Sequence, residues 1–472
     1  MHFEDRRSFV KRSLAAAIAA GLTGRGRAQE KQDKTPAAFV PRRMKGDFTL
    51  TAVGDLIVAY PILEEVRRTS PLLLELLKSD ATFGNFEDTV VDLKEFKGYP
   101  EALSGGGWLL SEPGVPGDLK TMGFDLVSRA NNHATDWGVA GMLETDRRLD
   151  EAGLIHGGTG RSLTAAREPA YFEGRKGRVA LIAMSAHFTE MEPAQDGLGD
   201  IQPRPGINAL HLERYIRVPE AQFQQLAAMR DMQPEASKDK KANIVTLFGT
   251  KYEKGKADQK EMSIHYTVNA KDKSDILLSI RQGREIADMA IASIHVHEPG
   301  NYSETPPDFL QGFAHDAIDA GADALIGHGP HQLRGIEIYK GKPIYYSLGD
   351  FAYMGNSRSH VTPAEYEATK IAPGDMTPAE VLQERLKDDF DSPIWFESVV
   401  AVNRYKDGAL VEIHLHAIDL GYDGPTGKRG IPMIATPEKA EKILAKLQRL
   451  SQPFGTEIVV REHVGVIAVK PG

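Results

Sequence analysis

The chain has 472 residues, of which 41% are apolar and 26% charged, an ordinary balance for a globular protein long enough to bury a large core in one domain or two. Its net charge is −9, and because the first 28 residues hold six Lys or Arg against two Asp or Glu, the remainder is more acidic still. An acidic body argues against nucleic-acid binding and against docking on anionic lipid. Cysteine is absent, which removes disulfides and thiolate sites and leaves His, Asp, Glu and Asn as metal donors, a set suited to zinc, manganese or iron.

The opening "MHFEDRRSFVKRSLAAAIAAGLTGRGRAQE" has a charged segment with Arg6 and Arg7, a mild apolar run, and then small residues around Ala28. That order is a secretory signal, and the paired arginines before Ser8-Phe9 are similar to a twin-arginine export signal. The run is too short and too Ala-rich to anchor the chain across a membrane. The reading is therefore a signal over 1–28, a linker over 29–46, and a mature protein at work in the periplasm or at the cell surface.

From residue 47 onward, short apolar strands alternate with helices. "FTLTAVGDLIVAY" is a β-branched strand ending at Gly54-Asp55. "PLLLELLKSDATFGNFEDTVVD" reads as helix, strand and turn, with Glu87 at the strand's end. "LKTMGFDLVSRANNHATDWG" repeats the pattern and delivers Asn132 and His133, and "GRVALIAMSAHF" is a further strand. Residues 188–265 break the rhythm. They read as an insertion over the active edge, with one helix, "PEAQFQQLAAMRDM", and charged runs, "ASKDKKAN" and "KYEKGKADQKEM", that read as solvated loop. The alternation resumes with "MAIASIHVHE", carrying His295 and His297, and with "DALIGHGPH", carrying His328 and His331. A hairpin "IEIY"/"PIYYSLG" follows, then a polar helical stretch and a second hairpin around Lys406-Asp407-Gly408, with His414 and His416 on one side of its strand in a structural role. A tail over 421–472, with one helix and one strand, packs on the same domain. By periodicity alone this is an α/β protein built on one largely parallel sheet.

In such sheets chemistry gathers at the carboxyl ends of strands. Five separate segments bring Asp55, Glu87, Asn132 with His133, His295 with His297, and His328 with His331 to that edge. His-x-His puts both imidazoles of 295 and 297 on one strand face, and the Gly-rich turn presents 328 and 331. Neutral imidazoles and carboxylates together predict a site for one or two divalent ions. Asn132 and His133 are the candidates for catalytic contact with substrate. Glu337 and Asp350 are the nearest acidic candidates to orient an imidazole.

The ordered set "TAVGD", "FGNFED", "RANNHATDWG", "RPGINAL", "SIHVHE" and "GHGPHQLRGIEIYKGKPIYYSLGDF" resembles the CapA family of capsule-synthesis proteins, the poly-γ-glutamate capsule group, over about residues 47 to 355. The resemblance implies kinship with calcineurin-like metallophosphoesterases. It therefore implies a four-layer α-β-β-α sandwich of the metallophosphatase type over 47–420, with paired mixed sheets in place of a single parallel one. It also implies the residue roles: Asp55 at the family's Gly-Asp, Glu87 at Asn-x-Glu, Asn132 and His133 at Asn-Asn-His, His295 in the late strand, His328 and His331 at Gly-His-x-Pro-His. Two positions depart from the pattern. Ile57 stands where metallophosphoesterases carry the histidine of Asp-x-His, and Gly329 stands where the family often has His; His297 offers a substitute donor. The implied function is a metal-dependent hydrolase or transferase acting on an anionic envelope polymer or its peptide- or phosphate-containing precursor, together with capsule-synthesis partners. The competing readings are a non-catalytic polymer-binding or assembly subunit and a periplasmic phosphoesterase.

Overall fold

A computed structural model describes residues 42–101, 107–234, 242–387 and 391–469. The expected signal over 1–28 and most of the expected linker lie outside the described residues. Among those described, the chain is a mixed α/β protein with several sheets and no closed barrel, and no helix is long and apolar enough to cross a membrane.

Two large sheets carry the architecture. The first runs in the order Val459–Arg461, Val464–Ala468, Ala409–Asp419, Glu397–Lys406, Asp47–Ile57, Ala81–Phe86, Leu126–Ser128 and Ile155–Gly157. The second runs Ile336–Tyr339, Lys342–Tyr345, Ala324–His328, Met289–His295, Gly177–Ser185 and Ala170–Gly174. Both are mixed, which corrects the single parallel sheet expected from periodicity. The cause is local. Helices cover one face of each parallel segment, and the other apolar faces need a partner, which they find in each other.

The burial pattern follows from side-chain alternation along the strands. Phe48, Leu50, Ala52, Phe83 and Leu126 of the first sheet share one core with Val179, Leu181, Met289, Ile291 and Ile326 of the second. Val53, Phe86 and Val127, of opposite parity, pack on Val66, Leu73, Leu77, Leu119 and Leu149 of the helices. In the second sheet Ile182, Ala292 and Leu325 pack on Ile276, Ile280, Leu310 and Phe313 of the helices Ala270–Ile286 and Asp308–Asp319. The amphipathic helix Pro437–Ser451 buries Ile443, Leu444, Leu447 and Leu450 at helical spacing and adds them to the core between the sheets.

The inserted segment is more ordered than its charge suggests. Leu212–Val218, Ile244–Leu247, Thr250–Lys254 and Ser263–Val268 form a four-stranded sheet, so part of the run expected as solvated loop is a strand. The reason is alternation: Tyr252 pairs with Val245 and Ile216 and packs on Val218 and Phe223, while its neighbours Lys251 and Glu253 take the other face. This sheet packs against the helix Asp308–Asp319, where Tyr266 meets Phe309 edge-on at 6.0 Å.

One close backbone contact sets the register of the centre. The strand Asp47–Ile57 pairs antiparallel with Glu397–Lys406 along its first half, then parallel with Asp350–Tyr353 along its second, with an irregularity at Asp55. The switch brings Gly54 against Gly349, where a Cβ on Gly54 would lie 1.7 Å from the Gly349 carbonyl oxygen. Asp55 and Asp350 thereby become register partners. Gly54→Ala is expected to destabilise the protein by about 3 kcal/mol, since backbone has to move. Gly312→Ala, on the exposed face of its helix with nothing within 4 Å of the added carbon, is expected to stabilise by up to about 1 kcal/mol. Urea midpoints of the two variants against the parent check both signs.

Candidate metal centre

The ends of five strands meet in the space between the two sheets. Asp55 and Asp350 arrive as partners on adjacent parallel strands, and Asn85 pairs with Asp55 from the other side. Across the gap, His295 and His328 are likewise register partners in parallel strands. Asp55, Asn85, Glu87, Asn132, His295, His328 and Asp350 have no exposed surface, and His133, His297 and His331 are buried too.

Asp55 is tied to both sides. Asn85 Nδ2 donates to its Oδ1 at 2.8 Å, and the Gly329 backbone N–H donates to its Oδ2 at 2.9 Å. Gly329 has φ +114°, and a side chain there would run into the Val296 backbone. The same turn carries His331 at φ +56°, a left-handed conformation uncommon for histidine, held by Asp350 Oδ1 at 2.9 Å from its Nδ1.

The donor atoms fall into two groups that share Asp55: Asp55 with His295 and His328, and Asp55 with His331 and Asp350, each within 4.8 Å. His295 Nδ1 lies 3.0 Å from His328 Nδ1 and 3.3 Å from Glu87 Oε1; its Nε2 lies 2.7 Å from Asn132 Oδ1 and 2.9 Å from His297 Nε2. A neutral imidazole has one N–H, yet both nitrogens of His295 face acceptor atoms. Among the described residues Glu87 Oε2 and Asp350 Oδ2 have no hydrogen-bond partner. Crowded ring nitrogens and orphaned carboxylate oxygens in one buried space are what a divalent cation satisfies, so the residues fit a metal.

The structure places Asp55, Glu87, Asn132, His133, His295, His297, His328 and His331 at or beside this centre. His295 and His331 both approach the Asp55 carboxylate, at 4.0 and 3.8 Å. His297 lies just past its strand, anchored through Nδ1 to Asn301 Oδ1 at 2.7 Å. His133 stands one step back, with Nδ1 2.8 Å from Asp136 Oδ2 and its ring lining a small cavity beside His331. Asp350 is more than an orienting group, because it belongs to the second donor set. Glu337 is elsewhere, holding His315 at 2.8 Å and Tyr346 at 2.6 Å.

Asn85, Asp136, Ser293 and His187 were not singled out by the sequence. Ser293 Oγ fixes His328 through Nε2 at 2.7 Å, and His187 lies with its ring centre 4.5 Å from that of His297. For Asp350 a signal existed: "VGDL" and "LGDF" repeat the same Gly-Asp step. For Asn85 the signal was its spacing of two from Glu87, which puts both on one strand face.

Burial dominates the electrostatics. It raises the Asp55 carboxyl to about 7, with Asp350 adding repulsion, and it pushes Glu87 and Asp350 well above the usual carboxylate range. It lowers His133 and His328 to about 3, and holds His295 and His297 well below the ordinary imidazole value with help from neighbouring histidines. The imidazoles are therefore neutral at pH 7, the form that ligates metal.

A mixed α/β protein with a buried histidine–carboxylate centre at converging strand ends is the class that fold and site define. The model of the bacterial capsule synthesis protein family, PGA_cap, matches residues 49–354, which include every donor described above. The chain belongs to that family. It is 42% identical over 432 residues to the uncharacterized protein y4sH of Sinorhizobium fredii, covering 89% of this chain and 93% of that protein. It is 26% identical to the capsule biosynthesis protein CapA of Bacillus anthracis, covering 67% of this chain and 62% of that one. A probable polyglutamine synthesis accessory protein of Mycobacterium tuberculosis is 28% identical over 59% of this chain and 57% of its own length.

The charge pattern fixes a pH dependence. Carboxyls with raised folded pKa values hold protons that the unfolded chain has released, so their contribution is full below about pH 4 and is lost as pH rises through 7. The depressed histidines act oppositely: their contribution is full above about pH 6.5 and is lost as pH falls. Above pH 6.5 only the carboxyl effect is left. Chelator-treated protein is expected to lose several degrees of melting temperature between pH 6.5 and 8.5, and saturating zinc or manganese is expected to reduce that decline to the share of Glu192, raised by burial to about 8, and Asp136, which belong to neither donor group. Thermal scans at both pH values, with and without metal, read the result.

Proposed function

We propose that this protein is an exported, metal-dependent hydrolase or transferase that acts on an anionic envelope polymer of the poly-γ-glutamate type, or on its precursor, alongside other capsule-synthesis components. The observation that carries the reading is the pair of buried donor groups sharing Asp55, with a small cavity at their side. The family membership and the names of the Bacillus and Mycobacterium relatives support the polymer class. We read the fold as the four-layer α-β-β-α sandwich of the metallophosphatase type; the three apolar cores, one between the sheets and one on the outer face of each, support it. The twin-arginine-like opening supports export to the periplasm or cell surface.

In this reading Asp55, His295 and His328 would hold one ion, and Asp55, His331 and Asp350 would hold another, with Glu87, Asn132 and His297 beside them. A bound divalent ion supplies Lewis acidity at a site from which bulk water is excluded. The chain's own residues supply position and protons. Asp136 fixes the His133 ring through Nδ1, which leaves Nε2 as the nitrogen for proton exchange with substrate. Burial keeps His133 neutral at pH 7 and, by lowering it to about 3, weakly basic, so any proton it takes from substrate is held only transiently.

His328→Ala and His331→Ala are each expected to reduce bound zinc, manganese or iron to less than half of the parent's content, with the melting temperature under chelator unchanged. Elemental analysis decides, and parent-like metal in both variants would sink the site. His133→Ala is expected to keep its metal and to lose about 100-fold in turnover of γ-glutamyl amides or phosphoesters. Metal-loaded parent that turns over none of these would favour the polymer-binding reading. Replacing Arg6 and Arg7 together by lysine is expected to leave the precursor in the cytoplasm; export at the parent's rate, scored by cell fractionation, would overturn the twin-arginine assignment.

A further inference from the structure

The cavity beside the centre has a volume of about 40 Å³, room for one small polar group rather than a whole residue of a polymer. Its walls include His133, His331, Tyr353, Arg358 and Arg385, and no carboxylate lines it among the described residues. The two arginines differ in what they already hold. Arg358 is spent: Nε donates to the Gly355 carbonyl at 3.0 Å, Nη1 to the Trp108 carbonyl, and Nη2 to Glu365 Oε1 at 2.7 Å. Glu365 is spent as well, since its other oxygen accepts from the Thr362 N–H at 2.8 Å and the Thr362 hydroxyl at 3.0 Å.

Arg385 makes no hydrogen bond among the described residues; its nearest charged partner is that same Glu365 oxygen, at 3.6 Å. Its side chain is only 15% exposed. The helix Pro378–Leu386 is fixed by a capping box between Thr377 and Glu380, and by buried Val381 and Leu382. Arg385 lies three and four residues beyond those two, on the same inward face. One carboxylate thus faces two guanidiniums, and a largely buried positive charge is left over in the wall of a cavity that His133 and His331 also line.

We propose that Arg385 is a substrate-binding residue that pairs with an oxyanion of the ligand, a carboxylate or a phosphate, and so draws the neighbouring bond up to the centre. The planar guanidinium matches either group bidentately. Arg358, already neutralised, holds the wall behind it. This inference rests on the metal-centre reading for what the bound group is presented to, but the recognition itself rests on Arg385 alone.

The test uses the full mature protein and two probes, tri-γ-glutamate and inorganic phosphate, with binding measured by calorimetry and metal content by elemental analysis. The parent is expected to bind at least one probe, and the responding probe tells a carboxylate site from a phosphate site. Arg385→Gln is expected to weaken that binding at least tenfold with metal content and melting temperature unchanged, and Arg385→Lys is expected to recover part of the loss. Parent-like affinity in Arg385→Gln, or no binding of either probe by the parent, would overturn the proposal while leaving the metal centre intact. Arg385-dependent binding in a protein that holds no metal would support the proposal and defeat the metal-centre reading instead.

Discussion

The Asp55 carboxylate is the tie between the two halves of this protein. One oxygen takes its hydrogen bond from Asn85, on the neighbouring strand of the first sheet. The other takes its bond from the backbone of Gly329, in the turn that ends a strand of the second. A carboxylate with no exposed surface is costly, and this one sits with two more, Glu87 and Asp350. The hydrogen bonds from Asn85 and Gly329 offset only part of that cost, since all three carboxyls still stand above their usual range. Its presence between apolar cores makes sense as a site shaped for positive charge.

Much else about the structure serves that placement. The paired glycines 54 and 349 let two aspartates stand side by side, and the neighbouring strands of the second sheet bring His295 and His328 level with each other. Around the donors stands a ring of fixing contacts: Ser293 to His328, Asn301 to His297, Asp136 to His133 and Asp350 to His331. Such partners set ring orientation and decide which nitrogen is free. His331 in a left-handed turn is tolerated because the surrounding contacts over-determine it, a form of strain that clusters at functional sites.

How much of this was legible in the sequence depended on the length scale. Strands ending in Asp55, His295 and His328 were readable because each is an apolar run closed by a polar turn. That they converge from two sheets was not, since sheet pairing links residues hundreds of positions apart and alternation reports only which face a side chain takes. The inserted sheet was hidden by charged residues such as Lys251 and Glu253 on its outer face while Tyr252 and Val245 point inward. Asp350 looked like an accessory because its partner in the Gly-Asp pattern, Asp55, lies far upstream, and only the register of two parallel strands reveals them as equals.

The pairing of Asp47–Ile57 with Glu397–Lys406 has a consequence for how the molecule is made. Its rim is closed by Gly46 and Asp407, residues 361 positions apart. The strand that carries Asp55 leaves the ribosome long before its antiparallel neighbour exists. Loop closure over such a span precedes any reward from the contacts it allows, so folding is slow and the early strand's edge stays open to wrong partners. The strand that carries Asp55 thus keeps one edge unpaired until Glu397–Lys406 has been made, although every donor of the centre, Asp350 included, is by then already part of the chain.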